Sequence, residues 1–130
     1  MMKKLIYCFL FCVASVLKMS AQTGQFISAD LFSNSLITDL CQDKYGNLWI
    51  ATDYGLNKYD GYKFTSYFHH GSDSASLCHN AVVNLYCDTD GNLWVGTNRG
   101  LDRYDNRTDA FVHYDFPNGF RPRVACITQL

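Results

Sequence analysis

The sequence predicts an all-β protein, on three observations. The 130-residue chain has 12 acidic residues, all of them Asp, and no Glu. Glu favours helices, whereas Asp favours turns and caps. Aromatic residues make up 15% of the chain, and with Val, Ile and Thr they suit strands. The third observation is a repeat. Ile37 to Asp60 reads ITDLCQDKYGNLWIATDYGLNKYD, and Val82 to Asp105 reads VVNLYCDTDGNLWVGTNRGLDRYD. At an offset of 45 residues, 11 of 24 positions are identical without a gap. Self-similarity at such a period marks a repeat architecture.

Each repeat parses into strands and tight turns. Ile37 to Gln42 is predicted as the first strand. Asp43 to Asn47 is a turn: Asp accepts bonds from nearby backbone N–H groups, and Gly46 tolerates positive φ. Leu48 to Thr52 is the second strand and Asp53-Tyr54-Gly55 a hairpin turn. Leu56 to Tyr59 is the third strand, Asp60-Gly61 a turn, and Lys63 to Tyr67 the fourth strand. Four antiparallel strands in about 45 residues make one propeller blade. The second strands, Leu-Trp-Ile and Leu-Trp-Val, are apolar on both faces. That fits a sheet sandwiched between neighbours rather than one with a wet face. The blades are assigned to residues 36–80 and 81–122, with 123–130 opening a third.

The N-terminus reads as a targeting segment. Lys3 and Lys4 precede an apolar run from Leu5 to Leu17, followed by Lys18-Met19-Ser20-Ala21. Thirteen residues are too few to span a bilayer comfortably, so 1–21 is predicted to be a secretory signal peptide cut after Ala21. An uncleaved anchor is the alternative. The cut removes three lysines and leaves a mildly acidic, exported chain. Its net charge before cleavage is −1, so no basic excess points to nucleic acid. Residues 22–35 contain Gln25-Phe26-Ile27-Ser28, which resembles an outer strand.

With the repeat in view, the chain resembles the two-component-regulator propeller repeat. The match is D-x-x-G-N-L-W-[IV]-x-T-x-x-G-L-x-[KR]-Y-D, at Asp43 to Asp60 and Asp88 to Asp105. It covers two repeats and the opening of a third at Arg123 to Ile127. The resemblance implies the exported sensor region of a Bacteroides-type hybrid two-component system. Such a protein has two propellers, an immunoglobulin-like connector, one membrane span, a histidine kinase, a receiver and a helix-turn-helix domain. The implied ligand is an oligosaccharide, met in the periplasm. The implied partners are the remaining propeller blades and a second copy in a homodimer, with no nucleic acid contact by this part. Propellers close at 4–8 blades, so the chain is expected to be a fragment of a longer protein.

The motif residues are expected to build the scaffold: Asp43, Gly46, Asn47, Trp49, Thr52 and Gly55, then Asp88, Gly91, Asn92, Trp94, Thr97 and Gly100. Trp49 and Trp94 sit mid-strand among apolar neighbours, which favours inter-blade packing over sugar stacking. Ligand contacts are expected from the loops between second and third strands, at Asp53, Tyr54, Asn98 and Arg99. Their framework is shared while these middle residues differ. Tyr54 offers a ring face and a hydroxyl, and Arg99 a fork for a carboxylate or sulfate.

No catalytic residue, metal or cofactor is expected. Asp88-Thr89-Asp90-Gly91-Asn92 looks like a calcium loop, but Lys44 and Tyr45 replace the corresponding ligand positions and no Glu closes it. His69, His70, His79 and His113 have no common spacing. Asn106-Arg107-Thr108 is a sequon in pattern only. Four cysteines remain after the signal: Cys41, Cys78, Cys87 and Cys126. They allow three disulfide connectivities, but do not recur at matching repeat positions and read as small buried hydrophobes. The reading is a sensor binding module. A short secreted lectin-like protein that closes its propeller by assembly is the alternative, and a glycan-cutting propeller is the weakest.

Overall fold

A computed structural model describes residues 36–128. The signal peptide at 1–21 and the strand-like Gln25 to Ser28 lie outside the described residues. Two four-stranded antiparallel sheets form, each in plain sequence order. Blade one is β1 (Ile37–Gln42), β2 (Leu48–Thr52), β3 (Gly55–Tyr59) and β4 (Phe64–Tyr67). Blade two is β5 (Val82–Cys87), β6 (Leu93–Thr97), β7 (Gly100–Asp105) and β8 (Ala110–His113). The third strand starts one residue earlier than predicted, because Gly55 pairs with Thr52 across the hairpin.

The repeat extends to irregularities. The β1–β2 register shifts between Ile37 and Asp39, and the β5–β6 register between Val82 and Asn84. Thr38 and Val83 are therefore equivalent extra residues of a bulge, a device that bends and twists a strand. Thr38 uses its kink, since its hydroxyl donates to the Val82 carbonyl at 2.7 Å.

Side chains alternate across a sheet, so register decides which residues face which blade. In blade one, Cys41 lies beside Trp49 and Ala51 beside Leu56. This face meets blade two. In blade two the facing residues are Leu85 beside Val95 and Leu93 beside Tyr104. Together with Leu77 from the connecting segment they form one buried cluster. Each buried Leu or Val there contributes roughly 2 kcal/mol. Trp49 is 0% exposed; its ring meets Tyr104 edge-on at 4.6 Å and Tyr67 at 5.7 Å. The expected inter-blade role of Trp49 is what the packing provides.

Beyond blade two the chain makes a 3-10 turn at Pro117–Gly119. Arg123 to Ile127, expected as a strand, carries no strand. A strand needs a ladder partner, and no second strand of a third blade is among the described residues. The segment is still tied to blade two. Val124 N–H donates to the Thr97 carbonyl at 2.9 Å, and Asn84 Nδ2 donates to the Val124 carbonyl at 3.0 Å.

Candidate functional site

The motif residues form the same hydrogen-bonded knot in both blades. Asp43 Oδ1 accepts from the N–H groups of Tyr45 and Asn47, each at 2.9 Å. Its Oδ2 accepts from Asn47 Nδ2 at 2.9 Å and Trp49 Nε1 at 2.8 Å. Asp88 repeats this with the Asn92 N–H, Asn92 Nδ2 and Trp94 Nε1, at 2.8–2.9 Å. One carboxylate thus caps the turn and sets the Trp ring. Desolvation works against the charged form of Asp88, but donation from Trp94, Asn92 and backbone N–H groups outweighs it and lowers its pKa to about 2. Gly46 and Gly91 take φ of 87° and 84° in these turns, as their text predicts.

Those knots hold one end of each blade; the predicted ligand loops hold the other. In an up-and-down sheet the β2–β3 turn lies opposite the β1–β2 and β3–β4 turns. Thr52 Oγ1 donates to the Gly55 carbonyl at 2.8 Å and accepts from the Tyr54 N–H at 3.2 Å. Thr97 does the same with Gly100 and Arg99. The shared Thr-x-x-Gly text is therefore a side-chain brace that leaves its two middle residues outside. Asp53, Tyr54, Asn98 and Arg99 are all exposed. The strap Asn80-Ala81 joins the two turns: Gly55 N–H donates to the Asn80 carbonyl at 2.7 Å, and Asn98 N–H to the Ala81 carbonyl at 3.0 Å. Tyr54 packs against Phe68 with centroids 5.9 Å apart, and Asn98 Oδ1 accepts from Arg123 Nε at 3.0 Å.

A second polar site, which sequence reasoning missed, lies at the knot end between the blades. It is a groove of about 360 Å³ lined by Lys58, Asp60, Lys63, Tyr67, Tyr104 and Asp109, among others. Asp109 Oδ1 accepts from the hydroxyls of Tyr67 and Tyr104, both at 2.6 Å. Desolvation opposes its charge, yet the two phenols hold its pKa below the usual carboxylate value. Burial, then the bond to Asp109, pushes both tyrosines up. Lys58 Nζ sits 3.2 Å from the Tyr104 hydroxyl and over the Trp49 and Tyr104 rings, a cation–π pairing. Asp109 has φ of 53°, a left-handed conformation that non-glycine residues rarely adopt. Such a ring of donors and acceptors suits a polyhydroxylated ligand better than an apolar one. Nothing local marks these residues as a group: Tyr104 and Asp109 meet within blade two, but Lys58 and Tyr67 join them only when blade two packs on blade one.

Blade two also holds a Cys–Asp–His cluster. Cys78, Asp102 and His113 each bring a ligand-type atom within 4.8 Å of the others. Asp102 is fully buried. Its oxygens accept from His113 Nδ1 at 2.6 Å and the Cys78 N–H at 2.8 Å. Burial, then the charge of Asp102, pushes the Cys78 thiol up to about 12. A thiol so held is not an activated nucleophile. The arrangement serves to satisfy a buried carboxylate, and it accounts for His113, which sequence spacing left unassigned. Blade one has Asn57 and Ser66 at the matching positions, where the Ser66 hydroxyl donates to Asn57 Oδ1 at 2.8 Å.

Comparison with known proteins follows the same lines. Residues 30–54 and 76–99 match the family model described as two component regulator propeller. The chain is 38% identical over 66 residues to histidine kinase P4 of Formosa agariphila, covering 47% of this chain and 5% of that kinase. Among solved structures it resembles the extracellular domain of BT3049 of B. thetaiotaomicron, described as a hybrid two component system. The identity is 33% and the TM-score 0.63, over 72% of this chain and 14% of that one. The corresponding domain of BT4673 gives 26% identity and a TM-score of 0.57, over 69% and 13%. The chain therefore spans a small part of the length of each relative.

Proposed function

We propose that this chain, which matches the two component regulator propeller model over residues 30–54 and 76–99, belongs to the ligand-reading, exported part of a hybrid two-component sensor. The ligand class is an oligosaccharide and the compartment the periplasm. The role of these blades is binding; phosphoryl transfer belongs to other domains of such a system. The observation that carries the reading is the likeness to an extracellular sensor domain at 33% identity over 72% of the chain. No helix among the described residues is long and apolar enough to cross a membrane.

Chemistry at both blade ends supports a sugar ligand. The β2–β3 end offers the Tyr54 ring and the Arg99 guanidinium on braced turns, and rigid sheets present function on loops. The knot end offers the inter-blade groove with Lys63 and Asp60. Calorimetry of the ectodomain carrying these blades, against neutral and sulfated oligosaccharides, separates the two. Tyr54→Ala and Arg99→Ala weaken binding if the β2–β3 end reads the ligand. Lys63→Ala weakens it if the groove does. Unchanged affinity in all three, with the fold intact by circular dichroism, removes both ends. No heat with any oligosaccharide removes the ligand class.

A further inference from the structure

We propose that Cys41 and Cys87 form a disulfide that ties β1 of blade one to β5 of blade two in an oxidising compartment. The compartment rests on the exported location proposed above; the pairing rests on register. Cys41 lies beside Trp49 and so faces blade two. Cys87 lies beside Leu93 and so faces blade one. Both pack on the same inter-blade cluster.

The strands that carry them run side by side. Leu85 N–H donates to Asp39 Oδ2 at 2.8 Å, and Lys44 Nζ donates to the Asp90 carbonyl at 3.2 Å. Both contacts join residues 46 apart, as do Cys41 and Cys87. Asp39 and Cys41 share one face of β1, and Leu85 and Cys87 share one face of β5. The two sulfurs therefore meet across the interface, where both are free thiols in this structure.

This also explains why the cysteines do not recur in the repeat. A bond between blades joins a forward-facing position of one repeat to a backward-facing position of the next. Adjacent residues of a strand face opposite ways, so the pair is offset by one from the 45-residue period. The repeat equivalents, Tyr86 for Cys41 and Gln42 for Cys87, leave the device unique to this interface.

Interaction with Cys87, then burial, pushes the Cys41 thiol up, while interaction with Cys41 holds Cys87 below the usual thiol value. The exchange balances from whichever sulfur attacks first; take Cys87. Its thiolate opens the disulfide of a carrier, either an oxidoreductase or oxidised glutathione, and forms a mixed disulfide. Cys41 then gives up its proton and attacks Cys87 Sγ, and the carrier leaves as thiolate. Overall two S–H bonds break and one S–S bond forms. Two electrons and two protons pass to the carrier, whose disulfide becomes two thiols. Cys78 is engaged elsewhere, 3.2 Å from Thr97 Oγ1, and Cys126 is exposed.

The test equilibrates the purified full chain with excess oxidised glutathione, alkylates free thiols, digests with trypsin and maps linked peptides by mass spectrometry. Trypsin releases Cys41 in residues 19–44, and Cys78 with Cys87 in residues 64–99. The expected result is a 19–44 to 64–99 link that reductant removes, that Cys87→Ser abolishes and that Cys78→Ser retains. Full alkylation of Cys41 in the oxidised wild-type chain overturns the pairing, and so does a link that survives in Cys87→Ser. The same mapping after thiol trapping in whole cells tests the compartment separately. A pair that links in the tube but is reduced in cells withdraws the exported location and leaves the pairing standing.

Discussion

Trp49 and Trp94 occupy the same place in their blades and make the same bond to an Asp, yet their surroundings differ. Trp49 is fully buried under Tyr104 and Tyr67, whereas Trp94 is half-buried. The reason is directional. Each blade's Trp faces the blade that follows it, so blade two covers Trp49. Among the described residues no further sheet covers Trp94. The turn, the brace and the strand ladder are properties of one repeat. Burial is a property of two.

The largest expected effect tests that difference directly. Trp49→Ala empties a closed interface and costs about 4 kcal/mol in denaturant unfolding of this chain. Trp94→Ala removes area that is partly wet already and costs about half of that or less. Equal losses would mean that the two faces are covered alike, and the comparison would fail.

The capping carboxylates come next. Asp43→Ala leaves the Trp49 indole N–H buried without its acceptor, at about 2 kcal/mol. Asp88→Ala costs about 1 kcal/mol, because the half-buried Trp94 can turn its N–H to water. Titration sharpens this in blade two. The Asp88 pKa is depressed in the folded state, so its contribution is fully present above pH ~4 and is lost as the pH falls toward about 2. Unfolding measured from pH 5 to pH 2 should show that loss, and Asp88→Asn should flatten it.

The smallest difference lies at the turn glycines. Gly46→Ala meets open space, so only the strain of φ 87° remains, about 1 kcal/mol. At Gly91 an added Cβ would also run into the Lys44 side chain at Cδ. Lys44 is flexible and can swing aside, at the loss of its bond to the Asp90 carbonyl. Gly91→Ala should therefore cost slightly more than Gly46→Ala in the same unfolding assay. The reverse order would show that Lys44 does not hold the blades together.

Much of this molecule is legible in its text because the repeat's devices are local. The Asp-x-x-Gly-Asn-Leu-Trp knot closes within seven residues and the Thr-x-x-Gly brace within four. Side chains that meet within one turn meet whatever lies beyond it. Strand limits, turn glycines and blade size follow from such spacing, and so does the exposure of Asp53, Tyr54, Asn98 and Arg99. A strand at Arg123 to Ile127 does not follow, since a strand exists only with its ladder partner.

Most of what only the tertiary structure decided depends on how one blade sits on the next. Lys58, Tyr67, Tyr104 and Asp109 gather at one groove from three strands and a turn. Asp102, His113 and Cys78 meet from two strands and a connecting loop. Cys41 and Cys87 oppose one another because β1 and β5 run side by side. The sequence by itself determined the blades, because their hydrogen bonds and alternation are short-range. It did not determine these sites, because two need residues brought together across the blade interface and the third needs a connecting loop folded onto its own blade, which no periodicity encodes.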